Sequence, residues 1–345
     1  MEFSLADFDF SLPQEQIAQS PTPNPEDARL LLVRLSPTGG EPRFENAFVR
    51  DLPAILSSNP ALRESLWVRN RSAVFKARIY ARRPTGGRHE IVFLEPLDPA
   101  ETLWKCLIRG SSHFKFPQTL KEEKTGSEIV AISANEIQLH NARSIFEIAG
   151  EMPLPPYITL RDSGRDSIRY QPIWADKNFM FSAAAPTASL HFSPELLNRL
   201  NFIEWADLFL HVGLGTFEPL RNAKLSENNL HSEKYIVPAT TLKMIKNACS
   251  IVAVGTTSLR CLESLPEDLG SHESLSGSTD IFIKPGFRFK KVNHLWTNFH
   301  LPQSSLFVLV SAFAGSPVLA KEAYQFAINH RYRFFSYGDV SLWIS

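Results

Sequence analysis

The chain has 345 residues, 43% of them hydrophobic and 21% charged, with 36 basic and 36 acidic side chains that cancel. That length suggests about two domains of ordinary globular composition. Zero net charge excludes a whole-molecule basic field, so any nucleic-acid binding must rest on a local patch.

The three cysteines, Cys106, Cys249 and Cys261, form no C-x-x-C pair, which suits a reduced cytoplasmic chain without a disulfide framework. The N-terminus has no basic region and no long apolar core, so no signal peptide is expected. The longest apolar run, near Leu306–Ala314, falls far short of a membrane span.

Phe8–Pro13 reads as a short extended lead-in, and Pro21, Pro23 and Pro25 stiffen the loop after it. Ala28–Leu35 is an apolar run, read as a buried strand. Asp51-Leu52-Pro53 starts a short helix that Asn59-Pro60 is expected to end. From Ser65 the texture changes to short strand-like runs at Leu66–Asn70, Val74–Ala81, His89–Leu94, Trp104–Ile108 and Glu128–Ile132. Gly86-Gly87 and Gly126 sit between them as turns, and this spacing argues for a small β-barrel. Arg69, Arg71, Lys76, Arg78, Arg82, Arg83 and Arg88 cluster here with little acidic compensation. They read either as a solvated face or as phosphate contacts for RNA.

Pro153, Pro155 and Pro156 form a stiff hinge, after which helices and strands alternate as in an α/β layer structure. The expected fold is therefore an α/β domain, residues 1–62 and 153–345, interrupted by an inserted small β-barrel domain at 63–152. Ser193-Pro194 has the form of a helix start, with a hydroxyl N-cap and proline at the first helical position. The run Trp205–Val212 has strand length and is broken by Gly213 and Gly215. His191 and His211 flank this unit as core histidines or as part of a site. Ser250–Val254 is a strand that runs into Gly255-Thr256-Thr257-Ser258 and then a helix. Such a turn is either a plain cap or a ligand-binding strand end. His231-Ser232-Glu233 places an imidazole and a carboxylate on one side if extended; without a later Pro-Cys-x-x-Cys, zinc is not expected. Thr279–Ile283 reads as a strand, Ser304–Phe313 and Pro317–His330 as helices, and Tyr332–Phe335 as a strand ending in Ser336-Tyr337-Gly338-Asp339.

Five of these stretches occur in one order: Ala184–Phe192, His211–Phe217, Val254–Ser258, Thr297–Pro302 and Tyr332–Asp339. Together they resemble the S-adenosylmethionine:tRNA ribosyltransferase-isomerases of queuosine biosynthesis. The resemblance begins at Phe8-Asp9-Phe10 and covers almost the whole chain. It implies an α/β domain interrupted by a β-barrel. It also implies transfer of the ribosyl part of S-adenosylmethionine to a 7-aminomethyl-7-deazaguanine base in a tRNA anticodon. The ribosyl group rearranges to an epoxycyclopentanediol, and adenine and methionine leave. S-adenosylmethionine is then a consumed substrate, no metal is implied, and a cytoplasmic monomer acting on tRNA without a membrane is expected. Such chemistry needs a base beside the sulfonium and an acid for adenine. The resemblance makes His191, His211, His231, Glu233, His300 and Asp339 the catalytic candidates. For substrate binding it points to Pro186, Thr187, Gly213, Gly215, Thr216, Thr256, Thr257, Arg260, Asp280, Asn298, Ser336 and Tyr337. Arg78, Arg82, Arg83 and Arg88 are the candidate RNA contacts.

The chain departs from the family pattern at several points. Arg71, Ala73 and Lys76 stand where aspartate, arginine and proline are usual. Asn229 replaces the first histidine of a His-x-His-x-Glu pattern, Ser189 a glycine and Asn293 an aspartate. Two other readings stay open on sequence: a diverged paralogue acting on another nucleoside or RNA, and a non-catalytic RNA-binding protein.

Overall fold

The structure is a computed structural model that describes residues 3–36, 41–155, 157–159, 167–213, 220, 222–270 and 273–345. In the strand Arg29–Arg34, Leu30 and Leu32 turn to one core and Leu31 and Val33 to another. That is the period-two alternation of a strand whose two faces are both covered. The same split places Trp67 opposite Leu66 and Val68 on the strand Leu66–Asn70.

Among the described residues, nine strands form one mixed sheet. Its order is Leu275–Thr279, Glu233–Val237, Glu204–Leu210, Leu66–Asn70, Ile251–Val254, His294–Asn298, Val340–Ile344, Arg29–Arg34 and Arg43–Phe48. The four strands from Glu204–Leu210 to His294–Asn298 are mutually parallel, so their C-terminal ends share one edge. Glu233–Val237 and Val340–Ile344 run the other way, with Tyr235 opposite Leu210 and Val340 opposite Asn298. Their first residues therefore lie at that same edge, where ligands of open α/β sheets bind. Helices Ser305–Phe313 and Pro317–Asn329 cover one face through Phe307, Val310, Ala323 and Tyr324. No single helix among the described residues is long and apolar enough to cross a membrane.

Six further strands close the expected barrel: Glu136–Leu139, Leu103–Ile108, Arg88–Pro96, Arg78–Arg82, Gln118–Glu122 and Glu128–Ala131. Phe93, Trp104 and Ile129 fill its interior, and Phe146 from the helix Ala142–Ile148 packs on Phe93 and Trp104 at 4.8 and 5.1 Å between ring centroids. Burial in this apolar core pushes the Cys106 thiol up to about 12, which favours the neutral thiol over the thiolate. The chain enters and leaves the barrel through one neck, where Arg78 and Glu151 exchange backbone hydrogen bonds of 3.1 and 2.7 Å.

Several expected elements change place. Leu66–Asn70, read as a barrel strand, is a central strand of the large sheet. Val74–Ala81 is two strands: Ser72–Val74 pairs with Asp176–Ser182, and Arg78–Arg82 belongs to the barrel. Pro60 begins a second short helix, because Asn59 Oδ1 accepts the Leu62 N–H at 3.3 Å. The strand expected at Thr279–Ile283 is Leu275–Thr279. Tyr332–Phe335 forms no strand, and the strand there is Val340–Ile344. Leu5–Phe8 is a 3-10 turn, and Pro156 of the expected hinge lies outside the described residues.

Candidate active site

Two adjoining cavities open at the shared strand edge, with Val212 and Leu306 lining both. The smaller, about 220 Å³, is lined by Pro186, Thr187, Thr256, Thr257, Asn298, His300 and Ser336, seven of the residues singled out from sequence. Its floor is the turn before the helix Thr256–Ser264. Gly255 has φ +91° there, and a Cβ on it would lie 3.4 Å from the Ala188 methyl. Glycine is thus set by both backbone and space. Thr187 donates to Asn298 Oδ1 at 2.9 Å, and Asn298 Nδ2 donates to the Phe335 carbonyl at 3.3 Å. The Thr257 hydroxyl has no hydrogen-bond partner among the described residues. The N-terminus of this nine-residue helix, with the buried Thr257 hydroxyl behind it, thus borders the cavity.

His300 in this cavity lies 3.0 Å by Nε2 from the Thr297 hydroxyl. Burial pushes its pKa down to about 3, so it is a neutral imidazole near pH 7. It can donate or accept a hydrogen bond there but carries no positive charge to stabilise a leaving group.

The larger cavity, about 650 Å³, lies between sheet and barrel. His211, Gly213, His231, Glu233 and Arg260 line it from the sheet side, and Glu95, Lys105 and Asn135 from the barrel. Glu233 and Arg260 form an ion pair whose side chains are each 5% exposed. The other Glu233 oxygen accepts the Gly213 N–H at 3.0 Å. Burial first, and Lys234 second, lower the pKa of His211, which favours the free-base imidazole. Glu95 reaches Lys234 at 2.9 Å, tying barrel to sheet across the cleft mouth.

Other candidates lie elsewhere. His191 is buried, with Nε2 2.8 Å from the Gly338 carbonyl and Nδ1 3.4 Å from the Ala188 carbonyl. It lines neither cavity and braces the turn at Gly338. Asp339 lines neither cavity as well. Its carboxylate accepts the Arg29 and Arg333 N–H groups at 3.0 and 2.7 Å and pairs with the Arg333 guanidinium. The resemblance makes both catalytic candidates, and in the structure both hold the turn 333–339. Tyr337 is buried against Tyr170, and Asp280 is exposed outside both cavities. Gly215 and Thr216 lie outside the described residues. Among the described residues, no group of three or more His, Cys, Asp or Glu could hold a metal.

The basic cluster also divides. Arg78 is 2% exposed and donates to the Leu154 carbonyl at 3.0 Å, so it holds the neck and faces no RNA. Arg82 and Arg88 share Glu123, at 2.9 and 3.0 Å, and Arg83 lies beside the Phe114 ring. The acidic compensation absent from the local sequence thus comes from a neighbouring hairpin. Arg69 and Arg71 both bind Asp207, at 2.7 and 2.9 Å, and Arg71 also reaches Asp176 at 3.6 Å. The charge reversal at Arg71 is therefore neutralised within the sheet. Ala73 is wholly buried, Asn229 is exposed outside both cavities, and Asn293 Oδ1 accepts the Ile251 N–H at 2.9 Å. The sequence reading missed the barrel wall, Glu95, Lys105 and Asn135, and Phe335. No motif marks the wall, and Phe335 is hidden in an aromatic run.

The fold and site define an α/β protein whose ligand cleft is split in two and walled on one side by an inserted barrel. A family model described as "Queuosine biosynthesis protein" matches residues 5–343. The S-adenosylmethionine:tRNA ribosyltransferase-isomerase of Thermosipho melanesiensis is 42% identical over 97% of this chain and 98% of its own. The protein of the same name from Thermotoga maritima is 39% identical over 98% and 99%. A crystal structure of S-adenosylmethionine tRNA ribosyltransferase from Thermotoga maritima superimposes with a TM-score of 0.54 at 32% identity, covering 98% of this chain and all of that one. The chain belongs to the queuosine biosynthesis protein family, as its motifs imply.

Proposed function

We propose that this chain is an S-adenosylmethionine:tRNA ribosyltransferase-isomerase of queuosine biosynthesis. Its reaction moves the ribosyl part of S-adenosylmethionine onto 7-aminomethyl-7-deazaguanine in a tRNA anticodon and yields epoxyqueuosine, adenine and methionine. The observation that carries this reading is the pair of adjoining cavities at the sheet edge, one small and uncharged, one large and roofed by the barrel. A reaction that joins two substrates needs both held side by side with their reacting atoms in attack range, which two adjoining cavities allow. Val212 and Leu306 line both cavities, and the ribosyl group would sit at their junction.

The large cavity receives the modified base, and the Glu233–Arg260 pair fixes the loop at Gly213 that borders it. His211, neutral and adjacent to the shared wall, is the best-placed base for the proton on the carbon beside the sulfonium. His300 meets the leaving adenine as a neutral hydrogen-bonding group. Arg82, Arg83 and Arg88 at a hairpin tip supply phosphate contacts. The inserted barrel starts at Arg78 rather than at residue 63, because Leu66–Asn70 belongs to the large sheet and Ser72–Val74 pairs with Asp176–Ser182.

The test is incubation with S-adenosylmethionine and tRNA carrying the 7-aminomethyl base. Adenine release together with the mass change on the nucleoside is the expected result. Adenine release with unmodified tRNA alone, or a mass change on another nucleoside, selects the diverged paralogue.

A further inference from the structure

Phe335 differs from its aromatic neighbours. Tyr332 and Phe334 are wholly buried, whereas Phe335 is half-buried and lines the smaller cavity. Its φ is +76°, a conformation that a bulky L residue keeps only where its surroundings impose it. Three hydrogen bonds impose it here. The Phe335 N–H donates to the Phe299 carbonyl at 3.0 Å, and the Phe335 carbonyl accepts the Gly338 N–H at 2.9 Å and Asn298 Nδ2 at 3.3 Å. Gly338 is locked in turn, since a Cβ on it would lie 2.5 Å from the Arg333 carbonyl oxygen. His191 and Asp339 clamp both ends of this turn. The Phe335 ring packs edge to face on Tyr157, with centroids 3.9 Å apart at 87°, and the Tyr157 hydroxyl binds Ser336.

So much bracing serves no core, because the residue it holds is not fully buried. It presents an aromatic side chain to a cavity lined, among the described residues, by no Lys, Arg, Asp or Glu. His300 there is neutral at physiological pH. A slot of about 220 Å³ with a fixed ring, hydroxyls and one amide suits a flat, uncharged heteroaromatic group. The charged partners that an ammonium, a carboxylate or a sulfonium requires line the larger cavity instead, as Glu95, Lys105, Lys234 and Arg260.

We propose that Phe335 is the platform on which the adenine of S-adenosylmethionine stacks, and that the strained turn exists to hold it there. This rests on the reading that S-adenosylmethionine is the substrate. Phe335→Gly is the informative variant, because glycine takes a positive φ without strain and only the ring is lost. The dissociation constant for S-adenosylhomocysteine, by calorimetry, and the KM for S-adenosylmethionine should both rise about tenfold, with the KM for tRNA within about threefold. Phe335→Tyr, which keeps the ring, should stay within about threefold of the parent on every constant. Phe335→Leu, equally apolar but not aromatic, should behave like the glycine variant and serves in its place if that chain does not fold. An unchanged dissociation constant in Phe335→Gly or Phe335→Leu, or an equal loss in Phe335→Tyr, overturns the platform. A parent protein that binds no S-adenosylhomocysteine and releases no adenine fails the proposed function itself, which is a separate result.

Discussion

Glu233 shows how burial changes what a substitution tests. From sequence, a carboxylate two residues after His231 reads as a tuning group whose loss affects turnover far more than stability. In the structure it is half of a buried ion pair with Arg260 and also holds the Gly213 N–H. Glu233→Gln therefore leaves a buried guanidinium unpaired, a loss of about 3–5 kcal/mol in stability. Urea denaturation should show this alongside the lower turnover, and adding Arg260→Met should restore part of the stability without restoring turnover. A single variant as stable as the parent would mean that the pair is not sequestered. His300 makes a second prediction, through pH. Its pKa of about 3 in the folded chain lies below the ordinary 6.5, so the unfolded chain takes up the proton first. Stability is complete above pH 6.5 and falls below it, by up to about 1.4 kcal/mol per pH unit from this group, down to its folded pKa. His294, lowered to about 4 by burial, adds to the same window. His300→Gln should flatten the decline between pH 6.5 and 5, and a parallel decline in both proteins would remove His300 as its source.

At the scale of elements, local signals were legible where one short stretch holds its own stabilising group. Ser193 does accept the Leu196 N–H, at 2.9 Å, with proline at the first turn of the helix Pro194–Arg199. What the sequence could not show is that the same hydroxyl donates to buried Glu26 at 2.5 Å, 167 positions away, and that Glu26 also pairs with Arg199. Ser193→Ala should therefore cost more than the ~1 kcal/mol of a lost cap, about 2 kcal/mol in all, because a buried carboxylate also loses a donor. Since neither residue lines a cavity, KM for S-adenosylmethionine should not move. A loss confined to KM would mean that the helix positions the site. Elements set by distant partners were misread. Leu66–Asn70 resembles its barrel neighbours in texture, yet Trp67 packs on Trp205 and Trp296 of the large sheet. Gln118–Glu122 escaped notice because Lys121 and Glu122 give it no apolar stripe, although Leu120 faces the barrel core. Tyr332–Phe335 has strand composition, but the positive φ of Phe335 turns the chain before any ladder forms. For the site, glycine and hydroxyl turns after strands were readable, since topology alone brings such ends to one edge. His191 and Asp339 could not be told from clamps in the sequence, because a clamp and a catalyst use the same side chains and the hydrogen-bond partners come from distant residues.

Across the whole molecule, the barrel contributes at two places far apart. The strand Arg88–Pro96 begins at the basic hairpin and ends at the cleft, where Leu94, Glu95 and Pro96 line the larger cavity. At about 3.3 Å per residue the two ends lie roughly 26 Å apart. A tRNA with its anticodon base in the cleft can therefore reach the hairpin only with another part of its backbone. The cleft mouth has its own cations, Lys105 and Lys234, both beside Glu95. At the hairpin, Glu123 engages Arg82 and Arg88, so two of the three remaining arginines are already partly neutralised. Phosphate contacts carry charge information but no base information. Arg82→Ala with Arg83→Ala should then flatten the slope of log affinity against log salt by about 0.7–0.9, one contact rather than two, and weaken different tRNAs alike. Lys105→Ala with Lys234→Ala, at the mouth, should flatten it by a similar amount and also raise the KM for tRNA, because both lysines line the larger cavity proposed to receive the base. Binding of S-adenosylhomocysteine should be unchanged in the hairpin variant, which is remote from both cavities. Filter binding across a salt series distinguishes the two loci. An unchanged slope in the hairpin variant, with parental tRNA affinity, would make those arginines a solvated surface and leave the cleft mouth as the RNA site.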